Sequence, residues 1–224
     1  MNRLILVRHG GSTGNENAAF YQYNDSAVCL TTNGIQQALS TATVLDDIDP
    51  TWMKPGNFNL EVFASEYTRA QQTARICLDQ MGILSAAPRI SALLNERNYG
   101  TTVLPVMDTD PDCTANGSES SHQARPRARA FIQLVEPLLP RADVLAFSHM
   151  GLMRALIAEL EGLSDEDMMK TAVDNGRAFL FERAVASDGS STYTQRELPA
   201  HVLPKTATPI QTVADPGPPG QPRV

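Results

Sequence analysis

The chain has 224 residues, 42% apolar and 19% charged, a composition that supports one globular domain with a sizeable core. With 18 Lys and Arg against 25 Asp and Glu the net charge is -7, which argues against a broad basic surface for nucleic acid and leaves positive charge to a small site. Cys29, Cys77 and Cys113 are widely spaced and form no C-x-x-C pair, so neither a disulfide framework nor a zinc ribbon is expected.

The chain opens "MNRLILVRHGG", whose apolar run is shorter than the roughly 7 to 15 residues of a signal peptide or the roughly 20 of a membrane span. A cytoplasmic protein without membrane contact is expected. "RLILV" (3–7) reads as a buried strand that runs into the glycine-rich stretch "HGGSTGN". Residues 31–48 carry Ile35, Ala38, Leu39, Ala42 and Leu45 at helical spacing, with Thr31 or Thr32 as N-cap. "LEVFAS" (60–65) reads as a strand and 66–82 as a helix ending at Gly82. Residues 119–139 read as helical in their second half, with Pro126 near a start or a kink. A strand over 142–148 and a helix over 149–161 follow, then two late strands (176–183 and 191–198) joined across "SDGS". The end of the chain, 204–224, is Pro-rich and poor in large apolar groups, and is expected to be a disordered tail behind a folded domain over 1–203.

Strands alternating with helices predict an α/β fold with a parallel or mixed sheet covered on both faces. Ligands of such sheets gather at the carboxyl ends of the strands. The residues there are Arg8, His9 and Gly10, then Ser65 with Arg69 close behind, then Ser148 and His149. Convergence of two histidines and two arginines would make a site for a small anion. A nucleotide loop fits poorly, because no glycine is followed by the Lys of a Walker A motif and "GGSTG" lacks the G-x-G-x-x-G spacing. Ser12, Asn15 and backbone N–H groups of the loop can still hold a phosphate. A metal site is the rival use of the histidines, and the neighbouring arginines oppose it, so no metal is expected. Singly, each residue has a plain structural reading: a satisfied core imidazole for His149, a helix-surface charge for Arg69, a solvated loop carboxylate for Glu96.

Five segments taken together carry a family signal. "LVRHGGSTGN" resembles the R-H-G-x-[ST]-x-x-N signature of the histidine phosphatase superfamily, the phosphoglycerate mutase-like proteins. "LTTNGIQQA", "ASEYTRAQQTA", "LNERNYG" and "FSHMGLMRAL" resemble its later blocks, in the family's order, across about residues 4–200. The resemblance implies a three-layer α/β/α sandwich with a mostly parallel central sheet. It implies His9 as the nucleophile that becomes a phosphohistidine, and Arg8, Arg69 and His149 as holders of the phosphoryl oxygens. Asn15 and Ser12 would add hydrogen bonds, and Glu96 would be the general acid. No cofactor is implied, and the expected partner is a small phosphorylated substrate; the oligomeric state stays open.

Departures from the mutase branch matter. The segment after "NERNYG" contains no Trp and no Lys, where the mutases carry W-R-R and a lysine that grip phosphoglycerate. "GSES" followed by "RPRARAF" is closer to the phosphatase members. Tyr99 is the substrate-side residue that still favours a mutase. Gly11 stands where an acidic residue or Gln is common, and Met150 where a glycine is usual. A phosphomonoesterase is therefore expected, with a 2,3-bisphosphoglycerate-dependent mutase or a non-catalytic phospho-ligand binder as alternatives. Specificity is expected to sit in residues 17–29 and 100–122.

Overall fold

In β1 (Arg3–Arg8) every residue from Leu4 onward is buried, as a strand covered on both faces requires. Its side chains alternate between two cores. Leu4 and Leu6 join one cluster, Ile5 and Val7 the other. The computed structural model describes residues 3–53, 59–84, 87–100 and 117–198. The proposed tail over 204–224, the end of the domain at 203, Cys113 and most of the 100–122 segment lie outside the described residues.

The remaining strands are β2 (Leu60–Ala64), the two-residue β3 (Arg89–Ile90), β4 (Asp143–Ser148), β5 (Ala178–Val185) and β6 (Ser191–Arg196). They form one sheet in the order β3-β2-β4-β1-β5-β6. The pairs β1–β4, β2–β4 and β2–β3 are parallel, while β1–β5 and β5–β6 are antiparallel. The expected three-layer α/β/α sandwich is thus observed; its sheet, expected to be mostly parallel, is mixed, parallel from β3 to β1 and antiparallel through β5 and β6.

Helices α3 (Thr32–Ile48) and α4 (Thr68–Gln80) cover one face through Ala38, Leu45, Ala74 and Leu78. Helices α5 (Ser121–Val135) and α6 (Met150–Glu161) cover the other through Ala128, Phe131, Leu152 and Leu156. Thr31, not Thr32, caps α3: its Oγ1 accepts from Gly34 N at 3.1 Å. Helix α6 ends at Gly162, whose φ of 68° closes the helix in the left-handed region.

Some boundaries differ from expectation. Helix α5 begins at Ser121, ahead of Pro126, and ends at Val135, because a capping box starts it early. Ser120 Oγ accepts from Gln123 N at 3.1 Å, and Gln123 Oε1 accepts from Ser120 N at 2.8 Å. Helix α4 is shorter than 66–82, ending with its cap at Met81. The hairpin strands run to Val185 and Arg196, with Ala186 N donating to Ser190 O at 2.8 Å across the turn. Three short helices were not foreseen: α1 (Thr13–Glu16), α2 (Ala19–Asn24) and α7 (Asp165–Lys170). At four to six residues they are set by caps and tertiary contacts, which periodicity does not register. Among the described residues no helix is long and apolar enough to cross a membrane.

Candidate active site

Register brings the site together. Arg8 pairs with Ser148 across β1–β4, His9 N donates to Ser148 O at 3.0 Å, and Ser65 N donates to Phe147 O at 3.0 Å. The residues that follow β1, β2 and β4 are therefore neighbours at one edge of the sheet. The loop after β1 is pressed against the start of α3. A Cβ on Gly10 would lie 2.2 Å from Gly34 O, and one on Gly34 would lie 1.8 Å from Gly11 O, so neither position admits a side chain. Gly11 N donates to Gln37 Oε1 at 2.6 Å, which gives this departure from the family pattern a local partner.

His9 is 2% exposed, and its Nδ1 lies 2.6 Å from Gly10 O. A carbonyl only accepts, so Nδ1 carries the proton and Nε2 keeps its lone pair. Arg69 Nε donates to that lone pair at 3.2 Å. Burial, followed by the charges of Arg69 and Arg8, holds the His9 pKa well below its ordinary value, so the ring is neutral.

Arg69 is 1% exposed and stands between the rings of Tyr21 and Tyr67, each centroid 5.1 Å from its Cζ. Its Nη1 donates to Asp25 O at 2.8 Å and lies 2.7 Å from Asp25 Oδ1. Burial raises the Asp25 pKa, and Arg69 opposes that shift. Arg8 donates from Nη1 to Val173 O at 2.5 Å, while its buried Nε has no partner.

The second histidine is fixed by a directed chain. Asn95 Nδ2 donates to Glu66 Oε2 at 2.7 Å, and Ser65 Oγ donates to Asn95 Oδ1 at 2.9 Å. The Ser65 hydroxyl proton is thereby committed, so His149 Nε2 is the donor in its 2.8 Å contact with Ser65 Oγ. His149 Nδ1 is left as a buried nitrogen without a partner. The ring stands 5.1 Å from that of His9, and burial, then Arg69, push its pKa well below the ordinary value. The buried Arg8 Nε, a donor without a partner beside His9, is one that an anion would satisfy, whereas the unpartnered His149 Nδ1 is an acceptor.

Glu96 is 8% exposed, and its Oε1 accepts from Arg97 N at 2.8 Å and from Leu152 N, in the first turn of α6, at 3.2 Å. Among the described residues no hydrogen bond engages Oε2. Gly151 makes this approach possible, since a Cβ there would stand 2.7 Å from Glu96 Oε1. The glycine requirement after the second histidine thus falls on Gly151. Met150 opens a regular helix and needs no special backbone.

A cleft open to solvent has Arg8, His9, Asn15 and Arg69 in its wall, together with Tyr21, Asp25, Glu96, Tyr99 and Met150. Asn15 Oδ1 accepts from Ser12 N at 3.0 Å, Ser12 Oγ at 2.9 Å and Asn175 Nδ2 at 3.2 Å, which leaves its Nδ2 as a donor for an anion. Ser12 is fully buried and absent from the wall, and both its N and its Oγ bond Asn15 Oδ1. His149 also lies behind the wall, against His9. Tyr21 and Asp25 were not singled out from the sequence, although they fall within the 17–29 segment expected to set specificity. No spacing marks them; α2 and the 3₁₀ turn Asp25–Ala27 carry them in.

The sequence profile of the histidine phosphatase superfamily (branch 1) matches residues 4–185, which span every element above except β6. The chain belongs to this superfamily. The 2,3-bisphosphoglycerate-dependent phosphoglycerate mutase of Bradyrhizobium sp. (strain ORS 278) is 29% identical over 198 residues, covering 80% of this chain and 90% of that one. The alpha-ribazole phosphatase of Shigella flexneri superposes with a TM-score of 0.66 at 26% identity, covering 92% of this chain and 100% of that chain. A mycobacterial glucosyl-3-phosphoglycerate phosphatase, solved with VO3, superposes at 0.69 and 20% identity over 87% of this chain and 97% of its own; at that identity the likeness speaks for the fold alone. Mutases and phosphatases of the superfamily are thus both among its relatives.

Proposed function

We propose that this histidine phosphatase superfamily member is a phosphomonoesterase working through a phosphohistidine at His9. The observation that carries the reading is the His9 tautomer: with Nδ1–H bound to Gly10 O, a neutral ring presents its Nε2 lone pair beside Arg69, in a cavity that Glu96 also lines. Arg8, Arg69 and Asn15 supply donors for the equatorial phosphoryl oxygens, where charge stabilisation matters most. His149, whose neutral ring carries its proton on Nε2, packs against His9 and donates to a phosphoryl oxygen only when Nδ1 takes a proton, which a bound dianion favours. Nε2 attacks phosphorus, the bond to the alcohol oxygen breaks, and Glu96 gives that oxygen a proton from Oε2. The same carboxylate then takes a proton from the water that cleaves the N–P bond, releasing inorganic phosphate. No step calls for a metal.

A mutase is the second reading, favoured by Tyr99 in the cavity wall and by the mutase relatives. Against it stands the lack of any Lys or Arg in residues 98–124, the stretch after "NER" that would grip a phosphoglycerate carboxylate. Release of p-nitrophenol from p-nitrophenyl phosphate in EDTA tests the proposal: turnover by the wild type and none by His9→Ala is expected. Isomerisation of 3-phosphoglycerate that depends on 2,3-bisphosphoglycerate would overturn it in favour of the mutase.

A further inference from the structure

Among the described residues Arg8 and Arg69 are the cations of the cavity wall, and two carboxylates, Asp25 and Glu96, share that wall with them. A phosphoryl dianion in place uses both guanidinium groups. A second anionic group on the same ligand would then meet Asp25, Glu96 and the rings of Tyr21 and Tyr99, with no cation of the wall left to receive it. Arg97, the next cation along the chain, is buried with Ser121 and lies under the Tyr99 ring, its Cζ 5.2 Å from the centroid. There is no Lys or Arg between Arg8 and Lys54, and residues 101–116 hold three Asp and no cation; Arg154, one turn beyond Met150 and close enough to act on Arg8, donates from Nε to Thr171 O at 3.0 Å rather than lining the wall.

Asp25 is well placed to act on the alcohol part of a substrate. Arg69 holds it through Nη1, whereas the Nε of the same guanidinium faces His9. The carboxylate therefore stays in the wall while Arg69 turns Nε toward the phosphoryl site. Tyr21 lies over the same guanidinium, so aromatic surface and a carboxylate stand together there. That pairing suits a hydroxylated or cationic group and repels a carboxylate or a second phosphate.

Resting on the phosphatase reading, we infer that the substrate is a phosphate monoester of an uncharged or positively charged alcohol, and that Asp25 is the residue that turns away alcohols carrying an anion.

Glycerol 3-phosphate and 3-phosphoglycerate make a matched pair, since one bears a hydroxymethyl where the other bears a carboxylate. Their kcat/KM ratio reads the charge of the alcohol part, because a general loss of phosphoryl transfer lowers both alike. A ratio of about tenfold or more in favour of glycerol 3-phosphate is expected, with phosphocholine turned over at least as well as glycerol 3-phosphate. Asp25→Asn should narrow the glycerol phosphate preference by about tenfold even if both rates fall. Equal or reversed preference in the wild type, or a preference untouched in Asp25→Asn, would overturn the inference. If p-nitrophenyl phosphate is turned over meanwhile, the phosphatase reading survives that failure. No turnover of any monoester, p-nitrophenyl phosphate included, would overturn both.

Discussion

Glu96 owes its position to a missing methyl group two chain segments away. A Cβ at Gly151 would enter within 2.7 Å of its Oε1, so Gly151→Ala displaces the carboxylate from the bonds it takes from Arg97 N and Leu152 N. The expected result is a fall in kcat of about 10²-fold for an alkyl phosphate, whose leaving oxygen needs a proton. The loss for p-nitrophenyl phosphate should be much smaller, because nitrophenolate leaves unprotonated. Equal losses on the two substrates would show that Glu96 does not act as the acid. The two histidines make a second prediction. Both are neutral and buried, with folded pKa values below the unfolded value near 6.5. As pH falls through 6.5 the unfolded chain binds protons that the folded chain refuses, so stability declines by up to about 1.4 kcal/mol per pH unit per histidine. Urea unfolding at pH 7 and pH 5 measures this, and replacing both residues by Asn should flatten the slope.

At the scale of elements, β4 ends in chemistry at one end and in a structural anchor at the other. Ser148 and His149 stand at its carboxyl end. Asp143, fully buried at its start, takes Arg3 as ion-pair partner, with Arg3 N at 3.2 Å and Trp52 Nε1 at 3.1 Å as further donors. Asp143→Ala leaves these donors unpaired and should cost about 2 kcal/mol, a figure held down by the partial exposure of Arg3. Chemical denaturation reads the loss; kcat at 25 °C should stay within about twofold, since the site lies at the opposite edge of the sheet. Helix α3 is tied to the site differently, by the contact of Gly34 with Gly11 O. Gly34→Ala should therefore raise KM and lower kcat together by moving the phosphate loop, and a change confined to stability would count against that coupling. This is also the scale at which the sequence was most readable. The rule that ligands gather at strand ends picked out Arg8, His9, Ser65 and His149, and register then brought them together. Periodicity was silent on α1 and α2, whose lengths of four and six residues offer no repeat to detect, so Tyr21 and Asp25 could not be placed.

Over the whole molecule, two apolar cores hold a mixed sheet between helices, and one polar edge collects the reactive groups. The apolar runs of β1 and β4 made that layering legible. The wall of the cavity was less so, because a residue such as Ser12 reads as a phosphate ligand in the motif and yet turns inward to hold Asn15. Hydrogen-bond direction decides such roles, and it is fixed only when partners distant in the chain meet. The same holds for His149, whose proton is placed by Ser65, Asn95 and Glu66 together. Everything proposed for catalysis turns on one covalent event at His9. The most direct measurement is rapid quenching of the enzyme during turnover of a phosphomonoester, followed by mass analysis of the peptide that contains residue 9. The account predicts the added mass of one phosphoryl group on His9, stable in alkali and lost in acid, and absent from His9→Ala. A phosphoryl group trapped on another residue, or undiminished turnover by His9→Ala, would contradict it.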